Sequence, residues 1–423
     1  MQDVQLKTMD IQDIEPGMFI HSIAVQSGNM EVKSRGRVKS ALIVKRMQDI
    51  GIRSVVVDLA QSEISKPTPE PEPELVKDYI PAEELPLKTT AKPHENMEEQ
   101  PIEESVAGKK RLENIHMELM RAQQLVIQCS ATLKRYVYEA KTGEYTDLSA
   151  AEDIVAQIEQ SLERNPNALL SLSCLREHTP YHIQHAIRAA VLMVHFAKAL
   201  SMSEKESQQM GLLGYLYDIG MSKIPKEITL SDSDLSPAQR QEIKTHPQVG
   251  AEILKSLKLE QSLLMAVEQH HERLTGNGYP LGISGELIHK YSRMLSIVDT
   301  YDALTSDRPH RSAISPIRAM KHLIQADSGF DLKLAQVFIR SMGLYPVGTL
   351  VKLTNNRIGL VIAQQEGEKT LPVVRVFYSL NGKHYLPPKD ISLSSNNSLI
   401  KIDQPVLLRQ HDLQLAPLFS HAK

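Results

Sequence analysis

The sequence predicts a mainly α-helical protein, with a small α+β module at its N-terminus and a small β-rich domain at its C-terminus. Three observations lead there: helical periodicity from about residue 108 to residue 343, a Pro/Glu-rich stretch before it, and short apolar runs after Gly343. At 423 residues the chain is too long for one ordinary core, so several domains are expected.

Residues 1–61 form the expected N-terminal module. Glu15-Pro16-Gly17 marks a turn before the run Phe19-Ile20-His21-Ser22-Ile23. Leu42, Ile43, Met47 and Ile50 carry helical spacing across 37–50, Gly51 is placed to end that helix, and Ser54–Val57 reads as a strand. Residues 62–106 then change character. Eight of the 23 prolines lie between Pro67 and Pro101, interleaved with Glu in Pro69-Glu70-Pro71-Glu72-Pro73-Glu74. Such a segment buries too little apolar surface to offset its ordering entropy, which predicts a stiff, extended linker.

Residues 107–170 regain helical spacing and read as a connecting segment. Met117, Leu119, Met120, Val126 and Ile127 are assigned to helix packing. These helices are candidates for homodimer formation, although no long heptad run supports it. Residues 171–343 are helical in pattern almost throughout, and half of the 16 histidines fall between His182 and His310. In residues 344–423, the runs Leu350–Leu353, Gly359–Ile362 and Val373–Phe377 read as strands, with a turn at Asn381-Gly382.

Composition excludes several functions. A net charge of −3 with both signs abundant leaves no electrostatic footprint for DNA, RNA or acidic membranes. Tryptophan is absent and aromatics are 4% of residues, against a stacking platform for single strands. Cys129 and Cys174 supply neither a disulfide framework nor a thiolate zinc site. No apolar run approaches the roughly 20 residues of a membrane span, and the N-terminus has no signal-peptide pattern. A cytoplasmic protein is expected.

The chemistry lies in the histidine-rich region. His185 begins a helical run, and Tyr217-Asp218 ends the next, with Gly220 as a stop signal. His246 precedes Pro247 and so sits near a helix N-terminus. His270-His271 are placed on a helix over Leu263–Leu274, and Asp299 on one around Ile288–Leu304. Taken singly, each histidine reads as a surface or core residue. Imidazoles and carboxylates converging from several helices can instead hold a pair of divalent ions, with a carboxylate between them.

The stretch His270-His271-Glu272-Arg273-Leu274-Thr275-Gly276-Asn277-Gly278-Tyr279-Pro280 resembles the signature of the HD-GYP family. Thr245-His246-Pro247 and Asp307-Arg308-Pro309-His310-Arg311 are similar to that family as well. The N-terminal module and linker resemble a domain of unknown function often found ahead of HD-GYP domains. The resemblance covers roughly residues 175–340. It implies an all-helical HD-superfamily fold and metal-dependent hydrolysis of cyclic di-GMP to pGpG or GMP in bacterial signalling. It also implies a metal pair, iron or manganese. His185, Asp218 and Asp299 would hold one ion; Asp218 would bridge to the second, completed by His246, His270 and His271. Asp218 and His246 would be the catalytic pair, with Gly278, Tyr279, Pro280, Arg308 and Arg311 facing the nucleotide.

Two positions depart from the family pattern. Tyr217 stands where the family has the histidine of His-Asp, and Met221 where it has a lysine. A phenol is a poor ligand for divalent ions, although phenolate can ligate ferric iron. Losing one preorganised charge stabiliser costs about 2.7–4 kcal/mol in well-studied sites, so the two changes together threaten turnover. Tyr181 also replaces the glutamate that some members use for a third metal. Two readings stay open: a weak cyclic di-GMP phosphodiesterase, or an inactive sensor or scaffold binding cyclic di-GMP or a partner such as a diguanylate cyclase.

Overall fold

The computed structural model describes residues 6–14, 18–26, 36–38, 44, 47–48, 52–58, 114–144, 147–173, 180–229, 231, 234–307, 312–365, 368–393, 400–407, 411 and 413. The Pro/Glu-rich segment 62–106 and most of the expected helix 37–50 lie outside them.

The N-terminal module is a four-stranded antiparallel sheet: β1 (Leu6–Asp10), β2 (Phe19–Gln26), β3 (Gly36–Arg37) and β4 (Ile52–Asp58), in the order β1-β4-β2-β3. Arg37, expected at the start of a helix, pairs with Phe19 in β3 instead. Val55 and Val57, two apart on β4, are both fully buried, as the period of a strand requires. The apolar face of this sheet does not close on itself. Its core continues into Leu281, Ile283 and Ile288, residues that follow the Gly-Tyr-Pro stretch.

The helices run α1 (Ile115–Thr142), α2 (Ser149–Arg164), α3 (Pro166–Ser173), α4 (Tyr181–Ala199), α5 (Glu204–Leu216), α6 (Lys226–Thr229), α7 (Pro237–Ile243), α8 (His246–Ser256), α9 (Gln261–Gln269), α10 (Lys290–Thr305), α11 (Pro316–Leu323) and α12 (Leu332–Met342). Local sequence explains several starts. Ser203 with Glu206 and Ser236 with Gln239 form capping boxes ahead of α5 and α7, and Pro237 takes the first turn of α7. Helix α4 is the central one: Ile183, Ala189, Ala190, Val194 and Phe196 are buried on several sides of it. An all-round apolar helix belongs in the middle of a bundle.

One apolar core joins α1–α3 to the histidine-bearing helices. The expected boundary at residue 171 therefore does not separate two cores. Within α1, Leu119 is buried and Val126 partly so, but Met117, Met120 and Ile127 are 44–62% exposed. Only part of that apolar set packs inward, because a helix this long offers the bundle a single stripe.

The C-terminal sheet is antiparallel, in the order β8-β7-β6-β5-β9, with β5 (Leu350–Leu353), β6 (Arg357–Gln365), β7 (Glu368–Ser379), β8 (His384–Ser392) and β9 (Ile402–Pro405). Alternation along its strands splits it between two cores. Val351, Leu353, Val361 and Val376 face the helical core, while Leu350, Leu360, Ile362 and Phe377 line a smaller one on the other side. Asn167 of α3 accepts a hydrogen bond from the Gln364 backbone, tying this sheet to the bundle.

Candidate metal centre

Five segments deliver the site, and two glycines set their spacing. A Cβ on Gly214 would lie 2.6 Å from the Ala189 carbonyl oxygen, so its absence lets α5 cross close to α4 and brings Tyr217 to His185. A Cβ on Gly220 would lie 2.1 Å from the His246 carbonyl oxygen. Gly220 thus acts through close approach: the turn Ile219–Lys223 lies against the start of α8, which puts Asp218 beside His246.

His246 opens α8 with Pro247 behind it, as the sequence predicts. His270 and His271 stand differently from expectation. Helix α9 ends at Gln269, five residues before Leu274; His270 caps it and His271 follows. Beyond it, the buried carboxylate of Glu272 accepts bonds from the backbone N–H groups of Leu281 and Gly282 at 2.6 and 3.0 Å, holding this stretch to the residues that follow Gly-Tyr-Pro.

The three imidazoles of His246, His270 and His271 bring a nitrogen each within 4.8 Å of one another. His246 Nδ1 lies 2.7 Å from the Ile243 carbonyl and His270 Nδ1 2.5 Å from the Val267 carbonyl. A carbonyl only accepts, so both Nδ1 atoms carry the proton, and both Nε2 atoms turn toward each other at 3.3 Å. Asp218 Oδ1 is 3.2 Å from His246 Nε2. Burial and the neighbouring His246 push His270 down to about 4, and burial with His270 holds His271 well below the usual imidazole range. Burial alone would raise Asp218, but the His246 hydrogen bond outweighs it and keeps the carboxylate ionised. Two neutral imidazoles, a third tilted 57° to His270 and edge-on to His271, and one carboxylate make a donor set suited to a divalent cation.

The remaining expected ligands are arranged otherwise. His185 Nε2 lies 3.0 Å from Asp299 Oδ1, and the Tyr217 hydroxyl touches both, at 2.6 and 2.8 Å. His185 Nδ1 is 2.5 Å from Asp302 Oδ2, and Tyr181 stacks on the imidazole at 5.3 Å. Burial opposes charge on His185, but Tyr181, Asp299 and Asp302 outweigh it and raise its pKa well above the ordinary value. Burial, with Asp299 and Asp218, raises Tyr217 well above a normal phenol, so it stays protonated. Asp299 reaches the other histidines only through Oδ2, 3.8 Å from His271 Nδ1.

Arg188 and Asp302 were not assigned a role from sequence, yet they anchor this half of the site. Asp302 bridges His185 and Arg188. Their signal was present: Arg188 lies three residues after His185 and Asp302 three after Asp299, so each pair shares a helix face.

Tyr279 of the Gly-Tyr-Pro stretch stacks on His271 at 4.6 Å, with the Lys244 ammonium 5.2 Å from the same ring. Pro280 follows it through a cis peptide bond. Gly278 lies against the backbone of Glu272 and Arg273. Arg308 and Arg311 lie outside the described residues.

Residues 159–334 match the HD domain family model, and residues 6–151 match a domain of unknown function. The chain is 33% identical over 277 residues to a cyclic di-GMP phosphodiesterase of Pseudomonas aeruginosa, covering 65% of this chain and 67% of that one. This chain belongs to the HD-GYP family. A cyclic di-GMP phosphodiesterase of Borreliella burgdorferi is 26% identical over 48% of this chain and 54% of its own. A cyclic di-GMP phosphodiesterase response regulator of Xanthomonas campestris pv. campestris is 28% identical over 52% of this chain and 59% of its own. The HD-GYP chain thus spans between half and two thirds of these relatives. Among its described residues no helix is long and apolar enough to cross a membrane.

Proposed function

We propose that this HD-GYP chain is a metal-dependent phosphodiesterase that opens cyclic di-GMP to pGpG and then GMP. The observation that carries the reading is the convergence of His246, His270 and His271 beside Asp218, with both Nδ1 atoms committed to carbonyls. The names of its relatives support the nucleotide.

A divalent cation, iron or manganese, held by those four residues would lower the pKa of water and stabilise charge on a scissile phosphodiester. His246 and His270 would hold it through Nε2, because their backbone bonds occupy both Nδ1 atoms. The Asp218 side chain is 25% exposed, the most open of these groups, and orients the attacking water by accepting its hydrogen bond. Water would add to phosphorus and give up a proton as the P–O bond to the ribose oxygen breaks, and the ribose oxygen would take up a proton in return, leaving a phosphomonoester and a hydroxyl. Tyr279, half-exposed against His271 with Lys244 beside it, offers a ring face to a base and a cation near the phosphates.

A second reading has its own support. Tyr217 closes His185 and Asp299 onto each other, and Met221 brings no charge to the turn after Asp218. Such a site would bind cyclic di-GMP, or a partner such as a diguanylate cyclase, and report it without cutting. Incubating purified protein with manganese or ferrous iron and cyclic di-GMP, with chromatography of the products, separates the two. Accumulation of pGpG or GMP that stops on chelation is expected. Nucleotide binding by calorimetry without any product would favour the sensor.

A further inference from the structure

The two halves of this centre differ in how their polar atoms are satisfied. At His246 and His270 the two Nε2 atoms face each other at 3.3 Å, with both Nδ1 protons already given to carbonyls. Asp218 Oδ1 lies 3.2 Å from the same His246 Nε2, so three ligand atoms converge on one position that a proton or a cation can fill. At His185 and Asp299 the opposite holds. There a donor-capable hydroxyl completes a closed triangle with the two ligand atoms, with sides of 2.6, 2.8 and 3.0 Å.

We propose that the Tyr217 hydroxyl takes the place of one cation, so that this chain holds a single divalent ion, at His246, His270, His271 and Asp218. The ring is fully buried, its edge against His270 at 4.9 Å and His185 at 6.0 Å, so packing fixes where the hydroxyl points. A phenol has one proton. Given to Asp299, it leaves the oxygen to accept from His185, and the triangle is complete without an ion. Tyr181 covers the imidazole, and Asp302 takes its other nitrogen. His185 Nε2 and Asp299 Oδ1 are both engaged within the triangle, and Asp299 Oδ2 alone lies outside it.

Tyr217 is therefore a positioning residue. By fixing Asp299 Oδ1 it turns Oδ2 toward His271, where the carboxylate lies 3.8 Å from Nδ1 and adjoins the occupied position. A histidine at 217 would instead offer a neutral nitrogen, and His185 and Asp299 would complete a second ion position with it.

The inference rests on the metal reading of the histidine cluster but not on any reaction, and counting ions needs no nucleotide. A failure here and a failure of hydrolysis are thus read separately. Protein purified without oxygen, loaded with excess manganese or ferrous iron and desalted, is expected to carry one ion per chain by elemental analysis. Tyr217→His should carry two, and His246→Ala none. His185→Gln should still carry one, since His185 binds no ion in the wild-type protein. Two ions or none in the wild-type protein overturns the proposal. So does a visible phenolate-to-iron absorption band that disappears in Tyr217→Phe. One ion in a Tyr217→His variant with the wild-type unfolding midpoint overturns it too, and if that variant does not fold, the wild-type count decides.

Discussion

Arg188 holds both carboxylate oxygens of Asp302, through Nε at 2.5 Å and an Nη at 2.9 Å. The same carboxylate lies against His185, so the orientation of that imidazole depends on a pair joining α4 to α10. Both partners are buried, at 6% and 2% exposure. Replacing Arg188 with Met leaves the buried carboxylate with His185 as its remaining charged partner, and stability should fall by about 3 kcal/mol, the lower end for breaking a buried pair. Urea unfolding checks this; a loss below about 1 kcal/mol would mean that the pair anchors little.

Gly278→Ala tests the loop. A Cβ there would lie 2.4 Å from Glu272 Cα and 2.5 Å from both the Arg273 nitrogen and the His271 oxygen, all backbone atoms that cannot swing aside. The loop must shift, and Tyr279 with it, disturbing the stack on His271. Metal affinity is expected to weaken about tenfold, the lower end for losing support around a ligand. Titration with manganese, beside an unchanged circular dichroism spectrum, would show it. Wild-type affinity would mean that His271 is held independently of the loop.

Restoring charge and ligand together should restore chemistry. Tyr217→His with Met221→Lys is expected to raise hydrolysis by about a hundredfold, near the range for one preorganised stabiliser. Initial rates of pGpG formation measure it. No gain in a folded double variant carrying two ions would place the defect outside these positions.

Acid should loosen the contact between α1 and α2. Burial raises the Glu118 pKa, but hydrogen bonds from Arg164 and Ser161 and the Arg164 charge outweigh it, and the carboxyl is held below its usual range. A depressed folded pKa contributes stability that is fully present above the unfolded value, about 4.3, and is lost as pH falls through the folded one. The wild-type advantage over Glu118→Gln should therefore be largest near about pH 6 and shrink toward about pH 3. Thermal midpoints of both proteins across that range would check it, and a constant difference would refute the linkage.

Part of the candidate centre was legible in the sequence because some of its residues sit beside a local marker. Pro247 placed His246 at a helix start, and apolar runs placed His185 and Asp299 on helices. Helix α9 was read too long because Leu274 continues its apolar spacing, whereas that side chain packs against the N-terminal core. The hydroxyl of Tyr217 was readable as a missing imidazole but not as a bridge, since its partners come 32 residues before it and 82 after. Three strands of the C-terminal sheet were visible as short apolar runs. Its division between two cores was not, because which face meets the bundle depends on helices far away in sequence.

Leu281, Ile283 and Ile288 belong to the core of the N-terminal sheet while standing between the Gly-Tyr-Pro stretch and the helix that carries Asp299. The two regions are therefore thermodynamically linked. A molecule that binds the sheet and tightens its packing must change the free energy of ordering this loop. Reciprocity requires the converse: nucleotide that steadies the loop must alter the affinity of the sheet for that molecule by the same factor. The N-terminal sheet and the residues after the Gly-Tyr-Pro stretch stand or fall on one shared set of apolar contacts.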